Sequence, residues 1–241
     1  MEKEIYKNIL VDAFRASGYG DLINENAAEA FWKLSGLLIE ANKTTNLTAI
    51  TDEYEIIIKH FLDSATVCRY IHENAKIIDV GCGAGFPSLP IAILRPDVSV
   101  TSLDSTGKKI DFLNDSACKI GLKNIFGICK RAEDYAVEAR ETFDLCTGRA
   151  VSRLNVLSEI CIPFVRVGGL FVAMKSSRGD EEYLEANKGI GILGCVKLTE
   201  EDIELDCKGD KLKRTIFVFN KIKKTPITYP RNYSQIKKKP L

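Results

Sequence analysis

Three glycines at alternate positions, Gly81, Gly83 and Gly85, close the stretch IIDVGCGAGFP after an apolar run and an aspartate, Asp79. A glycine-rich turn between a strand and a helix lets a ligand lie against bare backbone and meet its N–H groups. Dinucleotides call for G-x-G-x-x-G, and the place of the third glycine is held here by Phe86. Asp79 stands just before the turn, where its carboxylate repels a diphosphate but suits a ligand carrying an ammonium and a sulfonium. Asp104 ends the next apolar run, VSVTSLD, where an acid takes the hydroxyls of a ribose. An adenosine ribose with a cationic, phosphate-free tail describes S-adenosyl-L-methionine. The alternatives are a tight turn with no ligand and a nicotinamide dinucleotide, the latter opposed by Asp79 and Phe86.

Two further stretches bear on the chemistry. NIFGICKR leads into Arg131-Ala132-Glu133-Asp134, where an acid can accept from the adenine N6 amine. Acids also simply favour the first turn of a helix. After FDLC comes Thr147-Gly148-Arg149-Ala150, in the loop expected to face the transferable methyl. Enzymes that methylate exocyclic amines of adenine carry Asn/Asp-Pro-Pro-aromatic there, and this chain does not. Cys146 could add covalently to the ring carbon of a cytosine; it lies in an apolar run without a flanking proline, and buried packing is the expected role. No residue is assigned as general base. An arginine without a base suits a nucleophile with a free lone pair, such as guanine N7, and a direct displacement that relies on alignment and exclusion of water. Arg149 and Lys175, in VAMKSSRG, are the candidates to hold the base or its phosphate, because arginine matches the O6/N7 edge of guanine. The alternative for each is an ordinary surface cation.

The elements that would position these residues can be read from periodicity. YKNILVDAF, AAEAFWKLSGLLIEAN and EYEIIIKHFLDSATVCRYI return apolar residues at helical spacing, with NKTTNLTAIT as a connector. Asp52 is the expected N-cap of the third helix, with Glu55 as its capping-box partner. From AKIIDV onward strands alternate with helices: SLPIAILR, KKIDFLNDSACKIG and LNVLSEICIPFVR read as helices, and VSVTSLD, NIFGICKR, FDLCTGRAV and GGLFVAMK as strands. Two last apolar segments, GILGCVKL and RTIFVFNK, read as an antiparallel edge pair. The pattern is a doubly wound α/β domain with a mostly parallel sheet, covering residues 73–241, behind a helical cap of residues 1–72.

Composition narrows the class. At 241 residues, 45% hydrophobic and 28% charged, the chain suits a soluble globular protein. No apolar run approaches the roughly 20 residues needed to cross a bilayer, and MEKEIYKNIL lacks the basic-then-apolar order of a signal peptide, so a cytoplasmic location is expected. Eight cysteines are scattered singly beside two histidines, which argues against a zinc site or disulfide framework. The net charge is +1, yet Lys208–Leu241 holds eleven Lys/Arg against the single acid Asp210. Such a basic end points to a polyanion if the fold gathers it on one face, and to a solvated tail if it does not.

Together these stretches resemble a bacterial family, the small-subunit ribosomal RNA guanine-N7 methyltransferase G family, also called glucose-inhibited division protein B. The resemblance rests on NKTTNLTAIT, KHFLDS, DVGCGAGFPSLPIAI, LDSTGKKIDFL, RAE, TGRAV, GGLFVAMK and the terminal YPR…IKKKPL, nearly the whole chain. It implies a Rossmann-like class I methyltransferase fold that uses S-adenosyl-L-methionine on 16S ribosomal RNA, free or in the small subunit, with no membrane and no obligate protein partner. It also implies that Gly81, Phe86, Ala132, Glu133 and Arg149 line the cofactor site and that Asn46 and His60 lie near the RNA-facing mouth. A buried, helix-capping role is the alternative for His60. Ser88, Ser176 and Ser234 stand where the family usually has glycine. Guanine N7 faces the deep, narrow groove of A-form RNA, so the target base is expected in a loop or distorted helix, held through backbone contacts from Lys221–Lys239. Rival functions are methylation of another RNA or a small molecule, an NAD-dependent oxidoreductase, and an RNA-binding assembly factor without turnover.

Overall fold

The computed structural model describes residues 1–149, 152–176 and 179–241. Ala150 and Val151 of TGRAV, and Ser177 and Arg178 of VAMKSSRG, lie outside the described residues.

The first helices are α1 (Lys3–Ala16) and α2 (Glu25–Asn42). Asn24 caps α2 by accepting from the Ala27 N–H, and Ala27, Ala28, Phe31, Leu34 and Leu38 form its buried stripe. Next come α3 (Glu53–Ile56), a π-helical stretch Ile57–Leu62, and α4 (Asp63–Ala65). Asp52 caps α3 through the Glu55 N–H at 3.0 Å. The reciprocal half of the expected capping box is absent, because the Glu55 carboxylate pairs with Lys59 one turn on, at 2.7 Å. A π-turn winds wider than an α-turn and shifts the following side chains around the axis. Here the stretch carries His60 and leads into Asp63, both buried.

The α/β part runs β1 (Lys76–Val80), α5 (Ser88–Leu94), β2 (Ser99–Asp104), α6 (Gly107–Ile120), β3 (Ile125–Cys129), α7 (Ala132–Glu138), β4 (Phe143–Arg149), α8 (Leu154–Cys161), β5 (Val165–Lys175), α9 (Gly179–Ile192), β6 (Cys195–Cys207), β7 (Asp210–Lys221) and α10 (Tyr233–Lys238). The seven strands form one sheet in the order β3-β2-β1-β4-β5-β7-β6. β1 to β5 are parallel, and β7 runs antiparallel to both β5 and β6. The mostly parallel sheet with an antiparallel edge is the architecture that the alternation predicts.

Two segments differ from the sequence reading. The helix expected through LNVLSEICIPFVR ends at Cys161, and Val165 and Arg166 already belong to β5. In GILGCVKL, Gly191 and Ile192 finish α9, and the strand begins only after Gly194, at φ +98. A Cβ on Gly194 would lie 2.2 Å from the Lys223 carbonyl oxygen, so the turn is too tight for a side chain. β6 then continues through the acidic TEEDIELD, because an edge strand keeps one face in water and needs no continuous apolar run.

Buried side chains cover both faces of the sheet. The N-terminal helices pack with α5 and α6 on one face; α8, α9 and Ile236 of α10 pack on the other. Phe31 and Phe61 stack at 4.6 Å and Phe61 meets Phe86 at 6.1 Å, joining the N-terminal helices to the glycine turn. Each such ring removes enough apolar surface from water to stabilise the fold by about 2–3 kcal/mol. β1 lies between β2 and β4, so successive connections leave it in opposite directions and open a crevice at the strands' carboxyl ends. Among the described residues no helix is long and apolar enough to cross a membrane.

Candidate active site

Two cavities meet in that crevice and share Gly81 and Asp104. One, of about 210 Å3, is lined by Leu103, Ala132, Glu133, Ile160 and Tyr233. The other, of about 330 Å3, is lined by Thr48, His60, Gly83, Phe86, Lys109 and Arg149. Larger hollows along α2 hold no residue of the glycine turn.

Asp104 organises the ridge between the cavities. Its Oδ2 accepts from the Gly83 N–H at 3.0 Å and its Oδ1 from the Thr106 N–H at 2.8 Å. Each oxygen retains a lone pair for a ligand hydroxyl. Gly83 sits at φ +57, and a Cβ there would meet nothing within 4 Å, so this glycine leaves a cradle open to the cavity. Gly85 serves packing instead, since its Cβ would fall 2.5 Å from Leu89 Cδ1. An open cradle, a carboxylate at the ridge and two lobes fit an adenosine bearing a short polar tail.

Asp79 does not line either cavity. Strand alternation turns its side chain toward α5, where Oδ2 accepts from the Ser88 N–H at 3.1 Å and the residue is fully buried. Burial pushes its carboxyl up to about 7. Its Oδ1 has no hydrogen-bond partner, as is true of Ser102 Oγ and Thr147 Oγ1, which stand at the same register on the flanking strands. Asp79 therefore supports the turn from below and is not placed to meet a ligand ammonium.

The second cavity is walled by a chain of polar contacts from the N-terminal helices. Asn42 shapes the connector by accepting from the Leu47 and Thr48 N–H groups at 2.9 and 3.0 Å. Thr48 Oγ1 then meets His60 Nε2 at 2.9 Å, and Arg149 Nη2 meets His60 Nδ1 at 3.1 Å. Arginine only donates, so Nδ1 is the bare nitrogen and Nε2 carries the proton that goes to Thr48. The His60 ring stacks on Phe86 at 4.3 Å. Arg149 also donates to the Lys59 carbonyl at 3.0 Å and to Asp63 Oδ2 at 3.1 Å, and Arg214 takes Asp63 Oδ1 at 3.1 Å. Thr48, Asp63, Lys109, Arg214 and Tyr233 are parts of the site that sequence reasoning missed. KHFLDS and LDSTGKKIDFL contain Asp63 and Lys109, but nothing local marks Asp63 as the anchor of Arg149 or Lys109 as facing the cavity.

Burial and the neighbouring Arg149 charge hold His60 down to about 3. With both ring nitrogens engaged and the ring neutral, His60 has no lone pair for a reacting group. The unfolded chain binds a proton here below its ordinary 6.5 and the fold does not. This contribution to stability is therefore full above 6.5 and declines as pH falls toward about 3. NMR titration is expected to show no His60 protonation between about pH 5 and 8, and a mid-range inflection would contradict the Arg149 contact.

The remaining candidates separate. Ala132 and Glu133 line the first cavity, and Glu133 Oε1 accepts from the Tyr233 N–H at 3.2 Å. Asn46 is exposed beside Leu47 and Thr48 and lines neither cavity. Lys175 is a correction: its ammonium is buried against the Ser152 carbonyl at 2.6 Å and Glu182 at 2.8 Å, a brace between β5 and α9 that lines neither of these two cavities. Cys146 faces the opposite side of the sheet, fully buried, and burial pushes its thiol well above the usual range. That environment disfavours a thiolate nucleophile, so Cys146→Ser is expected to keep full turnover at some cost in stability. Loss of turnover in a folded Cys146→Ser protein, measured by labelled-methyl transfer, would restore covalent catalysis.

The basic end is only partly free. Lys221 is fully buried, donating to the Ile162 and Val165 carbonyls at 3.0 and 3.1 Å, and Arg231 is locked onto the buried Glu159. The expectation that Lys221–Lys239 as a whole meets RNA is corrected by these two. Lys223, Lys224, Lys237, Lys238 and Lys239 remain exposed.

The sheet order, the glycine turn and the carboxylate that ends β2 define a class, the S-adenosylmethionine-dependent methyltransferases. The fold is shared with M. jannaschii TYW2 in complex with AdoMet, at TM-score 0.52 and 16% identity over 67% of this chain and 76% of that one. The family model for rRNA small subunit methyltransferase G, GidB, matches residues 27–207. The chain is 46% identical to the ribosomal RNA small subunit methyltransferase G of Clostridium perfringens, over 90% of this chain and 92% of that one. It is 43% identical to the protein of the same name from Clostridium tetani, over 98% and 99%. The chain belongs to the rRNA small subunit methyltransferase G family.

Proposed function

We propose that this chain methylates N7 of a guanine in 16S ribosomal RNA, with residues 73–241 as the catalytic unit and residues 1–72 as the cap that completes its second cavity. The observation that carries the acceptor assignment is the wall of that cavity: an arginine, a neutral histidine with both nitrogens occupied and, among the described residues, no carboxylate but Asp104, which is held by the Gly83 and Thr106 N–H groups. Guanine N7 has an in-plane lone pair at neutral pH and needs no base. Bound S-adenosyl-L-methionine supplies an electrophilic methyl on a sulfonium.

The residues around it then have distinct tasks. Asp104 takes the ribose hydroxyls, and Glu133 with the Ala132 backbone meets the adenine edge. Gly81 and Gly83 let the ligand lie on the turn, and Lys109 is the cation available to a carboxylate tail. Phe86 and His60 form a stacked apolar wall, and Arg149, held over the Phe86 ring at 5.5 Å, orients the incoming base. Water exclusion and alignment supply the rate, because the reaction needs no proton moved before methyl transfer. Asn46 and the five exposed lysines after β7 supply the surface that meets the RNA backbone.

Mass mapping of 16S RNA from cells lacking this protein tests the reading. One guanine is expected to lose an N7 methyl and to regain it with the wild-type chain but not with Arg149→Ala. A modification lost from an exocyclic amine or a ring carbon would overturn the acceptor assignment. RNA affinity is expected to fall with added salt, and replacing Lys237, Lys238 and Lys239 by alanine should reduce the log–log slope by about 2–3. An unchanged slope would remove α10 from the RNA surface.

A further inference from the structure

The segment after β7 is attached to the first cavity by contacts that the sheet itself does not require. Arg231 grips Glu159 on α8: Nε reaches Oε1 at 2.8 Å, Nη2 reaches Oε2 at 2.5 Å, and the Arg231 N–H adds a third bond at 3.0 Å. Upstream, Arg140 donates to the carbonyls of Thr225, Pro226 and Tyr229. Downstream, Arg231 Nη2 reaches the Lys239 carbonyl at 3.1 Å, and Ile236 is fully buried. Leu241 sits on Gly189 of α9, where a Cβ would come within 2.6 Å of Leu241 Cβ. The strap is therefore fixed on both sides of Tyr233.

Tyr233 stands between these anchors and lines the first cavity, whose apolar wall is made by Leu103 and Ile160. Its N–H occupies only Glu133 Oε1, so Oε2 is left for a ligand amine. An aromatic ring, aliphatic walls and one convergent acceptor are what a purine base asks of a slot. Resting on the proposed reading of the pocket, we infer that Tyr233 is a cofactor-binding residue, supplied by the C-terminal strap, that closes the adenine end of the site. Glu133 then serves strap and cofactor at once, so docking of the strap and binding of the cofactor reinforce one another, and reciprocally.

Calorimetry on the full chain with S-adenosyl-L-methionine and with adenosine tests this. Tyr233→Ala is expected to weaken both ligands by the same factor, on the order of 10-fold, as for loss of one base–aromatic contact. Tyr233→Phe should bind like wild type, since the ring and not the hydroxyl makes the contact. The unliganded Tm of Tyr233→Ala should fall only by the packing of a half-buried ring, while the rise in Tm on adding S-adenosyl-L-methionine shrinks, a loss of ligand response that a purely structural role would not give. Tyr233→Leu, which keeps apolar bulk, serves if the alanine variant does not fold, and the same loss for both ligands is expected of it. Unchanged adenosine affinity in a folded Ala or Leu variant overturns the inference, as does a Phe variant no better than Ala. Wild-type protein that binds neither ligand overturns the pocket reading itself and the inference with it, an outcome distinct from a wild type that binds and a variant that binds equally.

Discussion

Arg149→Ala is expected to reduce methyl transfer by roughly 10²-fold or more while leaving cofactor affinity less affected, because the residue positions the acceptor side of the site. Three partners lose their donor at once: the Lys59 carbonyl, His60 Nδ1 and Asp63 Oδ2. His60 is then free to rotate off Phe86, and the apolar wall that aligns the base loosens. Stability should fall as well, by roughly 2 kcal/mol, since Asp63 is buried and keeps only Arg214 as partner. Arg149→Lys separates the two effects. A lysine ammonium can neutralise Asp63, but it cannot fork to a carbonyl, a ring nitrogen and a carboxylate together. The lysine variant is therefore expected to recover much of the lost stability and little of the turnover. Single-turnover transfer from labelled cofactor, read beside thermal unfolding, checks both. Near-normal turnover in either folded variant would take Arg149 out of the reaction.

That network shows why the site was only partly legible in the sequence. The glycine turn and Asp104 are local: a strand, a tight turn and the end of the next strand lie close along the chain, and their chemistry shows in residue type. Asp79 was misread for a reason that is local too. It precedes the turn, but the alternation of β1 aims it at α5, and burial rather than a ligand governs its carboxyl. Lys175 ends β5 at the carboxyl edge where substrates lie, and only the path of α9 brings Glu182 to take its charge. Thr48, His60, Asp63, Arg149 and Arg214 come from a connector, a π-turn, the helix α4 that follows it, and two strands separated by much of the chain. No periodicity predicts that they converge. The basic end divides in the same way: a sequence count sees charge, and the fold decides that Lys221 and Arg231 brace buried acceptors while the lysines of α10 face water.

The ridge between the two cavities carries the other large effect. Asp104→Ala is expected to weaken S-adenosyl-L-methionine binding by about 100-fold, the worth of charge-assisted hydrogen bonds to a ligand and to the turn that receives it. Two backbone donors, the N–H groups of Gly83 and Thr106, lose their acceptor, so the cradle at Gly83 relaxes while the ribose loses its partner. Asp104→Asn does not repair this. Its amide would present N–H toward one of those two donors, and one contact must break. The ribose role can be isolated from the turn role by comparing adenosine with 2′-deoxyadenosine. Wild type should prefer adenosine by roughly 10-fold, and Asp104→Ala should bind the two about equally, because the preference resides in the carboxylate. If the variant still discriminates between the two nucleosides, Asp104 acts on the turn alone and another group reads the ribose. Loss of discrimination alongside retained helix and sheet content would place the ribose on Asp104, at the ridge that the two cavities share.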